Sequence, residues 1–250
     1  MAHPPSEHFQ GKSVAEHLKE ARTKGAMASM EIHGTEMSGS VAAFADASKE
    51  VAIALSVLWV ILSPFFLMKE NFAILLLFAA GWTLWKCVRS AMLGWSRVER
   101  LHRLIEEERW EIEHHRAQER SELTEMYRAK GLSGKLLEEV IDVLMADDHR
   151  LLQIMLEEEL GLTLEVYEHP LKQAFGAFCG AAGASALCLF GLWLFPSFGL
   201  PLAAALVLIC SATLSAKIER NKIVTHVVWN LATGCMIAGC AYFLTSLYPL

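Results

Sequence analysis

The sequence predicts an all-α, polytopic membrane protein with five transmembrane helices and a cytoplasmic three-helix insert between spans 2 and 3. Three observations lead there. The apolar residues, 54% of 250, are bunched into blocks of membrane-spanning length instead of being spread with amphipathic periodicity. Between the second and third blocks lies a charged segment, residues 97 to 170, that carries 19 of the 28 acidic residues. The links between blocks carry nearly all their lysines and arginines on one side, and cationic loops stay in the cytoplasm.

Residues 1–40 have no short apolar core followed by a cleavage site, so they are read as a cytoplasmic arm and not as a secretory signal. Ser13 to Glu31 has the spacing of a surface helix, with Val14, Leu18 and Ala21 on one side, although Thr23 and Gly25 weaken it. Residues 41–95 hold spans 1 and 2. Val51 to Met68 is an uncharged run of 18, long enough to cross about 27 Å as a helix. Phe72 to Trp85 is shorter, but apolar character resumes through Cys87, Val88 and Ala91 to Trp95, and Lys86 and Arg89 can snorkel or face the bundle interior.

Residues 171–250 hold the last three spans. Ala174 to Phe195, Gly199 to Ala216 and Val227 to Leu250 contain no Asp, Glu, Lys or Arg. The links at 69–71 and 196–198 carry one lysine between them. The opposite face receives Lys12, Lys19, Arg22, Lys24, the Arg97 to Arg103 cluster, Lys217, Arg220 and Lys222. The N-terminus and the insert are therefore expected in the cytoplasm, with Tyr248-Pro249-Leu250 on the other side. All six cysteines fall inside predicted spans, without the spacing of a disulfide framework or a zinc ribbon, and read as small hydrophobes. Gly176, Gly180, Gly183 and Ala184, then Gly234 and Gly239, would let helices approach closely.

The insert, residues 96–170, reads as three helices. From Ser96 to Lys130 there is no Gly or Pro, so one helix is expected to continue from span 2 to a C-cap at Gly131. Ser133 then caps a helix with Leu136, Leu137, Val140, Ile141 and Leu144 toward a core, and Asp147 or Asp148 caps a third that ends at Gly161. On the first of these, Glu108, Glu111, Glu119 and Glu122 share an arc of about 80° at about 100° per residue. Stacked like charges repel. Such a stripe faces water or holds a cation, and in a membrane protein it suggests metal transport. On periodicity alone a solvated face paired with Arg109, Arg116 and Arg120 is the commoner outcome. His114 and His115 read as surface residues. Glu108 and Glu122 are about 21 Å apart along one helix, too far to share an ion, so two sites or a cluster built with other helices is required.

The run Glu119-Arg-Ser-Glu122-Leu-Thr-Glu-Met-Tyr127-Arg-Ala-Lys-Gly131-Leu-Ser133, followed by Glu157-Glu-Glu159-Leu-Gly161-Leu, resembles the cytoplasmic metal-binding domain of the vacuolar iron transporter family in its prokaryotic form. The order of parts matches as well: two spans, an acidic helical insert, three spans. In that family glutamates on the first insert helix, and a Met and a Glu on the third, bind ferrous iron and related divalent ions near a dimer axis. The resemblance implies metal ligation by Glu108, Glu111, Glu119, Glu122, Met155 and Glu159. Carboxylates with a thioether suit Fe(II) or Mn(II) better than calcium. Taken alone, Met155 reads as core, between Leu151, Leu152 and Leu156. The family's first-span aspartate matches Asp46, here without the following glycine. Its second-span Met and Gly-Glu-Tyr match Met92-Leu-Gly94-Trp95, here without the glutamate. Asp46 and Met92 are thus the implied translocation pathway.

The expected function is a homodimeric divalent metal/proton antiporter that exports Fe(II), or Mn(II), from the cytoplasm, with no enzymatic activity, organic cofactor or nucleic-acid partner. No Gly-rich phosphate-binding motif is present, so an ion gradient is the energy source left to it. The expected location is a bacterial inner membrane, or a vacuolar-type membrane in a eukaryotic cell. The rival is a non-transporting, membrane-tethered protein whose insert buffers or senses iron.

Overall fold

The computed structural model describes residues 13–29, 38–162 and 168–247. Tyr248 to Leu250, and residues 30 and 31 of the helix expected over Ser13 to Glu31, lie outside the described residues. Among the described residues there are nine α-helices, one π-helical turn and no strand. The chain divides into two compact units: residues 1–30 with 96–167, and residues 31–95 with 168–250.

The second unit is a bundle of long apolar helices. It contains α2 (Gly39–Leu62), the first part of α3 (Met68–His114), α7 (Pro170–Leu194), α8 (Gly199–Ile218) and α9 (Ile223–Leu247). Four of these, α3, α7, α8 and α9, are long and apolar enough to cross a membrane. The remaining helix, α2, has 24 residues but carries Asp46, Lys49 and Glu50. The expected first span, Val51 to Met68, is displaced. The helix begins twelve residues earlier and stops at Leu62, just before Pro64, whose ring supplies no N–H for another helical hydrogen bond.

The N-terminus of α2 is closed from elsewhere in the unit. Glu168 accepts from the Ser40 backbone N–H at 2.6 Å and from the Ser40 hydroxyl at 2.8 Å, satisfying a donor that a helix start leaves open and placing a carboxylate at the positive end of the helix. Along their length α2 and α7 touch backbone to backbone. A Cβ added to Gly176 would stand 2.1 Å from the Ser40 carbonyl oxygen, and one on Gly180 2.1 Å from that of Phe44. The same holds where α7 meets α8, with Gly199 against the Gly191 carbonyl. Gly183 and Gly239, also expected at contacts, have open space around them. Small residues fill the centre: Ala43, Ala47 and Ala52 of α2, Ala79 of α3, Ala177, Ala181 and Ala184 of α7, and Ala204 of α8. Larger Leu55, Leu75, Leu192 and Leu200 complete it.

The first unit contains α1 (Val14–Ser29), the end of α3, α4 (Arg116–Ala129), α5 (Gly134–Met145), α6 (Asp148–Ile154) and the π-helical turn Met155–Glu159. The N-terminal segment, read from sequence as a plain arm, packs into this unit: Leu18 and Ala21 are buried in its two apolar clusters. The expected unbroken helix from Ser96 to Lys130 is interrupted at His115 (φ −124°, ψ 34°), which ends α3 and precedes α4. Leu132 donates its backbone N–H to the Tyr127 carbonyl and Gly131 to that of Arg128, so α4 ends in a Schellman motif with Gly131 at φ +96°. Ser133 stands at the start of α5 in an extended conformation, but its side chain makes no capping hydrogen bond. The inward stripe of α5 is Leu137, Ile141 and Met145, whereas Leu136 is exposed. Asp147 caps α6 by accepting from Arg150 N–H at 2.8 Å.

Candidate metal centre

A regular helix would place Glu108 and Glu119 about 16 Å apart along its axis, beyond the reach of two glutamate side chains. In the structure one oxygen of each lies, together with one of Glu159, within a group whose atoms are all within 4.8 Å of one another. The break at His115 makes this possible. It redirects the chain between α3 and α4, so that Glu108 and Glu119 converge instead of running out along one stripe. Glu108 and Glu122 still fall in different groups of donor atoms, Glu108 with Glu119 and Glu159, and Glu122 with His17 and Glu159.

The third helix contributes through its irregular end. Leu160 N–H donates to the Met155 carbonyl at 3.2 Å, an i to i+5 bond, and Leu162 N–H returns to that of Leu156 at 2.9 Å, with Gly161 at φ +65°. A π-turn adds a residue to the helical turn and rotates the downstream residues relative to a regular helix. Glu159 closes that turn and is 2% exposed; Met155 opens it, fully buried among Leu18, Ile112, Leu123 and Leu151.

Glu108 is 5% exposed, and Glu119 and Glu122 are fully buried. The side-chain oxygen Oε1 of Glu108 is sealed from solvent without a hydrogen-bond partner. An acceptor in that state costs free energy unless something positive or a proton meets it. Burial, together with repulsion from Glu159, Glu111 and Glu122, pushes the Glu108 carboxyl well above the usual range. Burial and then Glu108, Glu122, Glu159 and Glu111 push Glu119 to about 10. Glu122 is pushed to about 7, chiefly by burial, against a hydrogen bond with Glu159 that holds it down. Each of these shifts favours the neutral carboxyl over the carboxylate.

Two of the three arginines that a solvated stripe would use, Arg116 and Arg120, make ion pairs with other carboxylates. Arg116 pairs with Asp148 at 2.6 Å, and Arg120 with Asp142 at 2.6 Å and Glu138 at 3.3 Å, all on the outer faces of α5 and α6. Glu111 is half-buried at the edge of the group and acts on it through charge. His114 stacks on Trp110 at 4.5 Å.

Sequence reasoning missed His17. Its Nε2 lies 3.8 Å from Glu122 Oε1 and 3.7 Å from Glu159 Oε1. The signal was present: Val14, His17, Leu18 and Ala21 follow the spacing of one helix face, so the imidazole sits within the apolar stripe.

In the helical bundle, Asp46, Glu50, Lys86, Arg89 and Ser90 line a cavity of about 250 Å³. Lys86 faces inward, 8% exposed, and donates to Glu50 at 2.7 Å, while Lys49 lies 3.4 Å from Asp46. Met92 is 64% exposed and does not line this cavity, so the two expected pathway residues are not brought together.

A protein-family model described as the VIT family matches residues 90–246, from within α3 through the acidic insert to the end of α9. No curated protein matches the chain.

Proposed function

The chain belongs to the VIT family, the vacuolar iron transporters, and from that premise we propose that it is a divalent metal/proton antiporter whose acidic insert captures the ion. Membership places it among membrane proteins of metal-ion transport, and the transported ion is best read as Fe(II), with Mn(II) as the second candidate. The observation that carries the capture role is the convergence of Glu108, Glu119 and Glu159, three carboxylates from three segments, all buried and within 4.8 Å. An incoming ion displaces the protons held by the raised carboxyls, so binding and proton release are one event. Glu111 adds charge at the edge and Glu122 adds a buried carboxyl, and the Met155 thioether favours a transition metal over calcium. In this reading α2 is a fifth span despite its charges, the N-terminus and insert are cytoplasmic, export is driven by inward protons through Asp46, and the unit of function is a homodimer in a bacterial or vacuolar-type membrane.

A second reading keeps the metal centre and removes the transport: a membrane-tethered iron buffer or sensor. The bundle supports it through the Lys86–Glu50 and Lys49–Asp46 pairs, which place ammonium groups where a passing cation would need free carboxylates. Metal uptake by sealed vesicles containing only this protein, with and without an imposed pH gradient, separates the two. Proton-dependent flux is the result expected of the antiporter; metal binding with no flux would establish the buffer.

A further inference from the structure

We propose that His17, on the N-terminal helix, is a metal ligand that completes a second ion position beside the carboxylate cluster, the two positions sharing Glu159. The inference rests on the reading of the insert as a metal-capture domain. Two sets of donor atoms satisfy the geometry of one ion, each with all its atoms within 4.8 Å: Glu108, Glu119 and Glu159, and separately His17, Glu122 and Glu159. Glu159 belongs to both, as a bridging carboxylate does.

The separations fit an ion held between these groups. At 3.7 and 3.8 Å the imidazole nitrogen is too far from the two carboxylate oxygens for hydrogen bonds to them. Ligands at about 2.1 Å from one metal lie about 3 to 4 Å from each other, and these distances fall in that interval. In the first of the two positions the oxygen Oε1 of Glu108, on a residue 5% exposed, is sealed from solvent and has no hydrogen-bond partner.

His17 is placed by packing. Helix α1 lies against α4 and the π-turn, with Leu18 and Ala21 buried on either side of the same face. The imidazole is therefore fixed over Glu122 and Glu159, with 17% of its side chain exposed. A nitrogen donor changes what this position accepts. Magnesium and calcium prefer oxygen throughout, whereas Fe(II), Mn(II), Co(II) and Zn(II) accept imidazole. The second position is thus a transition-metal position, and the N-terminal helix supplies its selectivity.

The test uses the full-length protein in detergent with Mn(II) as the probe. Titration of the wild type should give two ions per chain, and pulsed EPR of bound Mn(II) should show coupling to a ligand nitrogen. His17→Gln and His17→Ala should each lose the nitrogen coupling and weaken the second ion at least tenfold, while the first stays bound and the helix content is unchanged. Nitrogen coupling that persists in both variants, or that is absent from a wild type that binds Mn(II), overturns the role of His17 alone. A wild type that binds no Mn(II) overturns this proposal and the capture reading together. A variant that loses helix content is set aside in favour of the other; if both lose it, His17 is a packing residue and the proposal fails.

Discussion

The Lys86 ammonium donates to the Glu50 carboxylate at 2.7 Å, and the two partners differ in exposure, with 10% of the Lys86 side chain accessible against 43% for Glu50. Removing one member of a pair strands the other, and the cost depends on the burial of the group left behind. Glu50→Gln should therefore destabilise the protein by about 2 to 3 kcal/mol, and Lys86→Gln by about 1 kcal/mol or less. Thermal melts in detergent check the order. Equal losses would show that the pair is solvated on both sides.

Asp46→Asn separates capture from passage. Metal binding by the insert should be unchanged, because Asp46 belongs to the other compact unit, while proton-coupled flux into vesicles should fall at least tenfold. Met92→Ala should leave flux unaltered, since its side chain is exposed and lies outside the charged cavity. A variant Asp46→Asn that transports at the wild-type rate with the same pH dependence would remove that residue from the coupling step.

The carboxylate cluster sets a pH dependence whose sign is fixed. In the unfolded chain these glutamates titrate near 4.5, whereas in the fold Glu122 titrates at about 7 and Glu119 at about 10. Between those values the folded protein binds more protons than the unfolded one, so stability is full below pH 4.5 as far as these groups are concerned and declines as pH rises. The metal-free protein should melt at least about 5 °C lower at pH 9 than at pH 6, and Glu119→Gln should flatten the slope. A melting temperature that rises with pH over this range would contradict the burial of the cluster.

Metal should reverse that trend. Saturating Mn(II) at pH 8 should raise the melting temperature, and calorimetry in buffers of different ionisation enthalpy should register release of one to two protons per ion, a rough figure from the raised carboxyls. Replacing Glu108, Glu111, Glu119 and Glu122 together by Ala should abolish the heat of binding while preserving helix content, as Ala favours helix and relieves repulsion.

Gly180→Ala should cost about 2 to 3 kcal/mol, because its Cβ would meet the Phe44 carbonyl backbone and neither helix can yield through a rotamer change. Gly183→Ala, three residues on and facing open space, should be neutral or slightly stabilising. The pair of melts tests whether the close approach is confined to one face of α7.

Much of the helical architecture was legible because it is written in long blocks: the uncharged runs, the cap at Gly131 and the Asp147 cap each act within a few residues. The four glutamates were legible as a stripe from their spacing, and as metal ligands with Met155 and Glu159 only through the family resemblance. Nothing in the local pattern marks His115 as a break, since no Gly or Pro stands there, and without that break Glu108 and Glu119 stay far apart. The π-turn at Met155 to Glu159 is equally silent, being one residue of extra winding in a segment whose composition suits a regular helix. His17 was hidden by distance along the chain, more than ninety residues from the cluster that it faces, and by a stripe too short to reveal its packing partner. Lys86 was left with two orientations because its partner, Glu50, comes from another helix.

The seats that Gly176 and Gly180 offer to the carbonyls of Ser40 and Phe44 have a mechanical consequence. Side chains at a helix contact can swap rotamers and let one helix slip past another; bare backbone cannot. Sliding α2 along α7 by a fraction of a turn would drive each carbonyl out of its notch and into a neighbour that carries a Cβ. The two helices therefore travel as a single stiff beam, and any motion that opens the bundle first to one side and then to the other must articulate elsewhere.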